Sequence, residues 1–524
     1  MTGRAIDRRE LAGLGLVLVL ATACRFIGLA GRGIWDSDQG HDVLVFLDWI
    51  RNGTIPLLGP ATSFGDFHHG AIYYYLLAPS AFLSGANPTA MVAEIALAGV
   101  AAVAVTWWLA RSIGGPVAGF VAALVMAISA SAISETTFVW NPNLIGLSSS
   151  IALAAAWRAH TTGRARWWPL AALGVLITMQ CHVLGITLLP PVAGLWVQSI
   201  RSTPPGQSRK RLLWAGLAGV GILVVGHLPL LASELGHGFA GSRSIVAYLG
   251  QGGLGVSLSL PARLLFVALR ILAWPLAGLL TSGLVIGVFA GMIVAAGIGW
   301  RAGQARGLER TAARWLGASL LFGWIVLTFG VARLSTVTPL PVDHYHSFLD
   351  PVVFVALGIG AAAVWRQGPL AIRAVMVAGI GTLLAWNVAI WPPAVSPDGG
   401  WPGARATGDR IEASLGNRAA AFVSLPDFKS ADAYRSPIEL DRAGSTAAAT
   451  DAPGSTTGVI ASGRLPADSG LVIVCDALFV RDCGGPAEDA YLGSARLLPT
   501  VAMRLADRWL ASPYRTVSVY LPTP

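Results

Sequence analysis

Apolar runs of about twenty residues recur along most of the chain and are separated by short polar loops. A helix of roughly 20 apolar residues is long enough to cross the hydrocarbon core of a membrane. The pattern therefore predicts eleven membrane-spanning helices. The predicted spans are 11–30, 88–110, 115–134, 143–158, 167–181, 183–200, 212–232, 281–300, 315–332, 347–365 and 372–391. Dividing the apolar stretch 167–200 requires a tight turn near His182.

Two further apolar segments, 70–85 and 261–278, are too interrupted for a clear span. Their aromatic and charged residues predict helices that lie in the membrane interface. In the first of them, Tyr73, Tyr74 and Tyr75 would join an aromatic belt at that depth.

Arginines gather in every second loop between the predicted spans. Because cytoplasmic loops carry an excess of basic residues, this pattern predicts a cytoplasmic N-terminus. An odd number of spans then places the polar loops and the C-terminal region outside the cell membrane. The net charge of +9 forms no contiguous basic face, so we do not expect nucleic-acid binding. Only 12% of residues are charged, against about 25% in soluble proteins, which supports a polytopic membrane protein. The high Ala, Gly and Arg content is typical of a bacterial chain.

The C-terminal region is rich in Pro, Gly, Ser and Asp and contains only short apolar runs. Its last run, "YRTVSVYLP", alternates like a strand, and an amphipathic helix is expected around 487–511. We predict a small α/β extracytoplasmic domain over 392–524, after a membrane domain over 1–391, with a loose loop at 441–463. Cys475 and Cys483 fit no standard zinc spacing, so we predict a disulfide, which needs an oxidising compartment; two free thiols are the alternative.

Ionisable and amide side chains gather in the loops of the predicted external side, and polar groups at such a depth indicate a functional site. They are Asp36, Asp38 and Asp42 in "WDSDQGHD", Asp66, His68 and His69 in "GDFHHG", Tyr73 just after them, Asn141 and Asn143 in "VWNPN", His182 in "QCHVLG", and His344 and Tyr345 in "DHYHSF". In a helix over 36–51, Asp38 and Asp42 share one face.

These residue types suit a group transfer. A carboxylate can act as general base toward an acceptor, and His, Tyr and Asn can hydrogen-bond a departing phosphate. The alternatives are solvated acids, histidines in contact with lipid headgroups, and asparagines that cap a span. A divalent metal ion bound by "DSDQGHD" and "GDFHH" is a further possibility, although their spacing fits no ligand signature.

The order of these motifs resembles the GT-C class of polyprenyl-phosphate-sugar-dependent glycosyltransferases. It is similar to the bacterial branch of the protein O-mannosyltransferase and aminoarabinose-transferase group, over about residues 11–390. That group carries an acidic motif, usually Asp then Glu, in its first external loop. Here "SDQG" stands there, so Asp38 matches the base and Gln39 replaces the second acid. Asn141 and Asn143 stand where better-known members hold another acid. His344 and Tyr345 match a pair near the lipid phosphate.

The resemblance implies a GT-C-like helical fold and an inverting membrane glycosyltransferase. Asp38 would be the base, with Asp36 or Asp42 in support, and the donor would be a polyprenyl-phosphate sugar. The acceptor would be a cell-envelope glycan, a glycolipid or a protein, and no cofactor is firmly implied. One alternative is a transporter, or flippase, of lipid-linked saccharide, although transporters favour polar groups near the bilayer midplane. Another is a membrane acyl- or phosphoryl-group transferase that uses the same surface.

Overall fold

The computed structural model describes residues 6–62, 67–250, 258–278, 280–330, 344–426, 429–446, 468–493 and 502–523. Most of this part of the chain is helical. The helices are α1 (Arg8–Phe26), α2 (Leu29–Arg32), α3 (Ser37–Asn52), α4 (Ile72–Ser84), α5 (Pro88–Gly114), α6 (Pro116–Ile128), α7 (Ala130–Ser134), α8 (Ile145–Thr162), α9 (Trp167–Cys181), α10 (Leu189–Ser202), α11 (Gln207–Gly236), α12 (Ala240–Gly250), α13 (Leu260–Ala277), α14 (Leu280–Gln304), α15 (Gly307–Gly330), α16 (Asp350–Gln367), α17 (Leu370–Ala389), α18 (Gly400–Leu415), α19 (Asp432–Thr446) and α20 (Pro486–Leu492). Short 3-10 helices cover Asn141–Leu144, Val183–Leu188 and Ser347–Leu349.

Within the described residues, eight helices are long and apolar enough to cross a membrane. They are Pro88–Gly114, Val183–Ser202, Gln207–Gly236, Leu260–Ala277, Val285–Gln304, Gly307–Gly330, Ser347–Gln367 and Leu370–Ala389. The chain is therefore a multi-pass membrane protein, as predicted.

Seven of these eight helices match predicted spans, and the eighth, α13, covers the segment predicted to lie in the interface. The other four predicted spans also form helices, but shorter or more polar ones. For example, α6 ends at Ile128 and α9 has only 15 residues. The predicted break near His182 is confirmed, because that residue is extended between α9 and a 3-10 turn.

Helix α16 forms the centre of the bundle. Of its most apolar stretch of 18 residues, 83% is buried. The helix packs against α5, α6 and α14. Helices α11 and α17 lie at the periphery, since only 11% of the most apolar 18-residue stretch of each helix is buried. The polar loop that follows α1 and α2 forms α3, a two-stranded hairpin and α4, which packs on α5 and α9. The hairpin strands are β1 (Leu58–Ala61) and β2 (His68–Gly70).

The C-terminal region contains a four-stranded sheet, as predicted for a small α/β domain. Its strands are β3 (Ala420–Leu425), β4 (Gly470–Asp476), β5 (Met503–Ser512) and β6 (Arg515–Pro522), in the spatial order β3-β4-β6-β5. Strands β3 and β4 are parallel, and the other two pairs are antiparallel. All residues of β4 are buried, which explains its continuous apolar run.

Two predictions for this region need correction. The amphipathic helix expected over 487–511 ends at Leu492, and Met503–Ser512 is a strand, because it forms a hairpin ladder with β6. The first residues of the predicted loop 441–463 belong to α19, and 447–463 lie outside the described residues. The structure contains the predicted disulfide between Cys475 and Cys483, whose Cα atoms are 5.5 Å apart.

Candidate functional site

Helix α3 carries the acidic motif, and a capping box fixes its start. The carboxylate of Asp36 accepts a hydrogen bond from the Ser37 amide at 2.6 Å, and the Gln39 side chain accepts one from the Asp36 amide at 2.8 Å. This reciprocal arrangement satisfies backbone donors that a helix start leaves unpaired. Gln39 is 2% exposed. The residue that stands in place of a second acid is therefore buried and holds the start of the helix.

Asp38 lies in a recess where its side chain is exposed to solvent and still surrounded by protein. Burial raises the pKa of its carboxyl group, while the charge of Lys429 and a hydrogen bond from the Trp140 indole partly oppose that rise. The nearby charge of Asp36 acts in the same direction as burial. Asp38 is thus an accessible carboxylate with increased basicity.

Asp42 lies one turn further along α3 and is 1% exposed. The hydroxyls of Tyr73 and Tyr74, both buried, donate to its two carboxylate oxygens at 2.7 and 2.8 Å. Burial raises the pKa of Asp42 to about 7, against the opposing effect of the Tyr73 hydrogen bond. Both carboxylate oxygens of Asp42 are thus bound by buried tyrosine hydroxyls. The expected belt position of Tyr73 and Tyr74 is wrong, because both rings are buried against α3.

Asp36 joins α3 to the C-terminal region. Its carboxylate oxygens form ion pairs with Lys429 Nζ at 3.0 Å and Arg515 Nη2 at 2.7 Å. Burial disfavours the charged form, but Arg515 and Lys429 outweigh it and hold the pKa of Asp36 below its usual range. Asp36 therefore remains ionised, and it orients Lys429, whose charge acts on Asp38.

The C-terminal region lies directly on the start of α3. The Trp35 indole donates to the Ala433 carbonyl at 2.8 Å, and His41 Nδ1 lies 3.1 Å from Asp432 Oδ2. A Cβ atom at position 40 would collide with the Asp432 carbonyl, so only glycine permits this close approach.

Five aromatic side chains from four segments of the chain meet in one cluster, and Trp140 among them acts on Asp38. Ring centroids are 4.4 Å apart for Trp140 and His344, 4.3 Å for His344 and Tyr345, 4.9 Å for His344 and His182, and 5.3 Å for His182 and His69. Four of these residues were predicted as site residues, and the structure brings all four together. We call Trp140, His69, His182, His344 and Tyr345 the ring cluster.

Two imidazoles of the ring cluster are neutral at pH 7. Burial lowers the pKa of His69 to about 4, and burial together with His344 and His69 lowers the pKa of His182 well below its usual value. The Nδ1 atom of His69 is buried and has no hydrogen-bond partner among the described residues. The ring cluster can therefore offer hydrogen bonds, while positive charge must come from Lys429 and Arg515.

The remaining predicted residues have other surroundings. The Asn141 amide donates to the Cys181 carbonyl at 2.5 Å, and Asn143 donates to the Phe138 carbonyl at 2.8 Å. Neither caps α8, whose start has no side-chain cap, so that prediction is wrong. His68 lies on β2 beside His69, and Asp66 lies outside the described residues. Within the described part of the chain, no three His, Cys, Asp or Glu residues form a group that could hold a metal ion.

Trp140, Lys429 and Arg515 were not predicted. Trp140 stands inside the motif "VWNPN", but an aromatic residue among apolar ones carries no distinguishing signal. Lys429 had a usable signal, because the chain contains only two lysines and this one lies in the C-terminal region. Arg515 is one of many arginines, and only its fold partners reveal it.

Comparisons with known proteins agree with this geometry. The family model "Dolichyl-phosphate-mannose-protein mannosyltransferase" matches residues 68–229, less than half of the chain. The crystal structure of ArnT from Cupriavidus metallidurans in the apo state is similar over 97% of both chains, with 15% identity and a TM-score of 0.57. The form bound to undecaprenyl phosphate is similar over 98% of both chains, also with 15% identity and a TM-score of 0.57.

The arabinofuranosyltransferase AftD from Mycobacteria is also similar, with 14% identity and a TM-score of 0.51. The match covers 99% of this chain and 40% of AftD. No curated protein sequence matches the chain significantly. The chain has the GT-C fold. Its similarity to ArnT extends over nearly the whole fold, and residues 68–229 match the mannosyltransferase family model; both findings support the predicted resemblance.

Proposed function

We propose that this chain is a glycosyltransferase that moves a sugar from a polyprenyl-phosphate donor to an acceptor outside the plasma membrane. The observation that carries the proposal is the position of Trp140, which acts on the accessible carboxylate of Asp38 and whose ring lies 4.4 Å, centroid to centroid, from His344 of the ring cluster. A base and a set of hydrogen-bonding groups therefore share one recess. The same fold occurs in an ArnT structure bound to undecaprenyl phosphate.

Asp38 acts as the general base in the proposed reaction. Its carboxylate takes the proton from an acceptor hydroxyl or amine while the acceptor atom bonds to the anomeric carbon. In the same step the bond from that carbon to the phosphate oxygen breaks, and polyprenyl phosphate leaves with the bonding electrons. A single displacement inverts the anomeric centre. The raised pKa of Asp38 makes it a stronger proton acceptor than an ordinary aspartate near neutral pH.

The departing phosphate needs both hydrogen bonds and positive charge. His344, Tyr345 and His69 supply the hydrogen bonds in this proposal. Lys429 supplies the charge, since its ammonium group has three donors and Asp36 accepts one of them. Binding of a phosphate would also favour protonation of nearby imidazoles.

Other residues position this machinery. Asp36 holds Lys429 and Arg515, and Asp42 fixes α3 against α4 through its tyrosine partners. The buried Asn141 ties the loop that carries Trp140 to the end of α9. Contacts of His68 or Asp66 with the sugar remain predictions.

Transfer in vesicles tests the proposal. The full chain is reconstituted with a labelled polyprenyl-phosphate sugar and a bacterial cell-envelope fraction, with protein-free vesicles as the control. We expect labelled glycan, glycolipid or protein that forms only with donor and chain together. Movement of donor between leaflets without product would instead support a transporter. Product from an acyl donor alone would support an acyltransferase.

A further inference from the structure

A cavity of about 480 Å³ lies between α10 and α15, away from the candidate site. The two helices run antiparallel, and the Trp315 indole donates to the Pro191 carbonyl at 3.1 Å. The chain direction places Gln198 and the start of α15 at the Arg-rich end of the bundle, opposite to His182. The basic residues of its lining therefore lie at the end remote from the proposed reaction.

One half of this cavity is basic. Arg310, Thr311 and Arg314 line it from the first turns of α15, and Gln198 lines it from α10. Arg314 forms no hydrogen bond or ion pair with any residue that the structure describes, and its side chain is exposed. Arg310 donates to the carbonyls of Ala305 and Gly303, so part of its guanidinium is engaged at the end of α14.

The positive charge of this half is not neutralised locally. None of the described residues that line the cavity carries a carboxylate. Glu309 precedes Arg310, but it forms ion pairs with Arg301 and Arg366. The start of α15 adds the positive end of a helix dipole.

The other half is apolar. It is lined by prolines and leucine of α10 and by aromatic and small residues of α15: Pro190, Pro191, Gly194, Leu195, Trp315, Ala318 and Phe322. The cavity thus extends from two guanidinium groups at the end of the helices to an apolar wall deeper in the bundle. This is the polarity profile of a lipid with a charged headgroup.

We propose that the cavity between α10 and α15 binds an anionic membrane lipid, with its phosphate at Arg310 and Arg314 and its chain along Pro191, Leu195 and Phe322. Basic pockets between membrane helices are known to bind anionic lipid headgroups. A zwitterionic lipid carries a compensating cation, which these two arginines would repel. The site is independent of the proposed transferase function.

Native mass spectrometry of the full chain, released from bilayers of equal phosphatidylglycerol and phosphatidylcholine, tests this proposal. We expect preferential retention of phosphatidylglycerol. The variants Arg310→Gln and Arg314→Gln should each lower that retention about fivefold, the effect of roughly one kcal/mol per basic residue. Arg211→Gln, an exposed arginine at the same end outside the cavity, serves as the matched control and should retain lipid normally.

A second variant separates lipid binding from a purely topological role of the arginines. A Cβ atom at Gly194 would meet nothing within 4 Å, so Gly194→Phe can fill the apolar half without a backbone clash. We expect it to expel the lipid with both arginines intact. Equal retention of the two lipids by the wild type, or normal retention in Gly194→Phe, would overturn the proposal. Displacement of the lipid by millimolar inorganic phosphate would also overturn it, because the acyl chains of the lipid would then contribute nothing to its affinity.

Discussion

Replacement of Asp38 by asparagine is the most direct test of the proposed chemistry. Asparagine keeps an oxygen that can accept the Trp140 hydrogen bond, and the exposed position imposes no packing cost. What it removes is the proton acceptor. General base catalysis contributes about 10²–10⁴-fold to a rate, which is roughly 3–5 kcal/mol of activation free energy. We therefore expect kcat for sugar transfer to fall at least about 100-fold.

The donor KM should behave differently. The substitution removes a negative charge beside Lys429, so binding of the anionic donor should be unchanged or tighter. The pH profile gives a second measure. Because Asp38 acts as a carboxylate and its pKa is raised, wild-type kcat should fall as the pH drops through that raised pKa, nearer to neutrality than for an ordinary aspartate. The variant should lack this limb.

Asp48→Asn is the matched control, since Asp48 is exposed on the same helix and accepts a hydrogen bond from Asn52 at 2.6 Å. Its kcat should stay within about twofold of the wild type, as for most surface changes. Kinetics with a labelled donor, on protein whose circular dichroism is unchanged, make the comparison. If Asp38→Asn retains more than about a tenth of the wild-type kcat, or Asp48→Asn loses as much, the base assignment is refuted.

Three further changes probe the surroundings of Asp38. Lys429→Ala should lower kcat/KM about 10- to 100-fold through loss of a charged hydrogen bond to phosphate. It should also move the acidic limb of the pH–rate profile to higher pH, because the Lys429 charge lowers the pKa of Asp38. Lys429→Arg should restore most activity, and an alanine variant with unchanged kcat/KM would contradict the phosphate-binding role of Lys429. Asp42→Asn should retain its tyrosine partners. Asp42→Ala should lower the midpoint of thermal unfolding, because each unpaired buried tyrosine hydroxyl costs about 1–3 kcal/mol. Equal midpoints for the alanine variant and the wild type would argue against these hydrogen bonds as a source of stability. The pKa of His41 is raised, mainly by its hydrogen bond to Asp432, so this contact should be complete below about pH 6.5 and weaken as pH rises through the raised value. The protection factors of amides in 432–442, corrected for base-catalysed intrinsic exchange, should then decrease above neutral pH, and His41→Ala should abolish that decrease.

Local signals in the sequence were enough to predict much of this site. Asp36 begins a helix whose first turn carries its own cap, and His182 interrupts an apolar stretch too long for one span. The loops predicted to be external were expected at one end of the bundle, so His69 and His344 were expected at one level. Their direct proximity follows from packing that no local pattern encodes.

Long-range contacts account for what the sequence did not predict. Lys429 is 393 residues from Asp36, and the pairing depends on how the C-terminal sheet sits on α3. Strand β5 has a helical pattern of apolar positions, but the ladder with β6 decides its conformation. The substitution of an acid by Gln39 seemed to weaken the site, whereas the capping box shows that this position supports the helix.

The predicted boundary between 391 and 392 divides the sequence, but it does not divide the proposed site. Lys429 and Arg515 come from the C-terminal region, yet their shared partner is Asp36 at the start of α3. The side chains of Lys429 and Arg515 are only 24% and 11% exposed, so their charges are partly removed from water. Without Asp36 these charges would lack a partner for part of their hydrogen-bonding capacity. Trp35 also joins the start of α3 to the C-terminal region, since its indole donates to the Ala433 carbonyl and its own carbonyl accepts a hydrogen bond from Arg515 at 3.1 Å. The C-terminal region is therefore better understood as one wall of the recess around Asp38, because it sets the charge that both the base and a departing phosphate would experience.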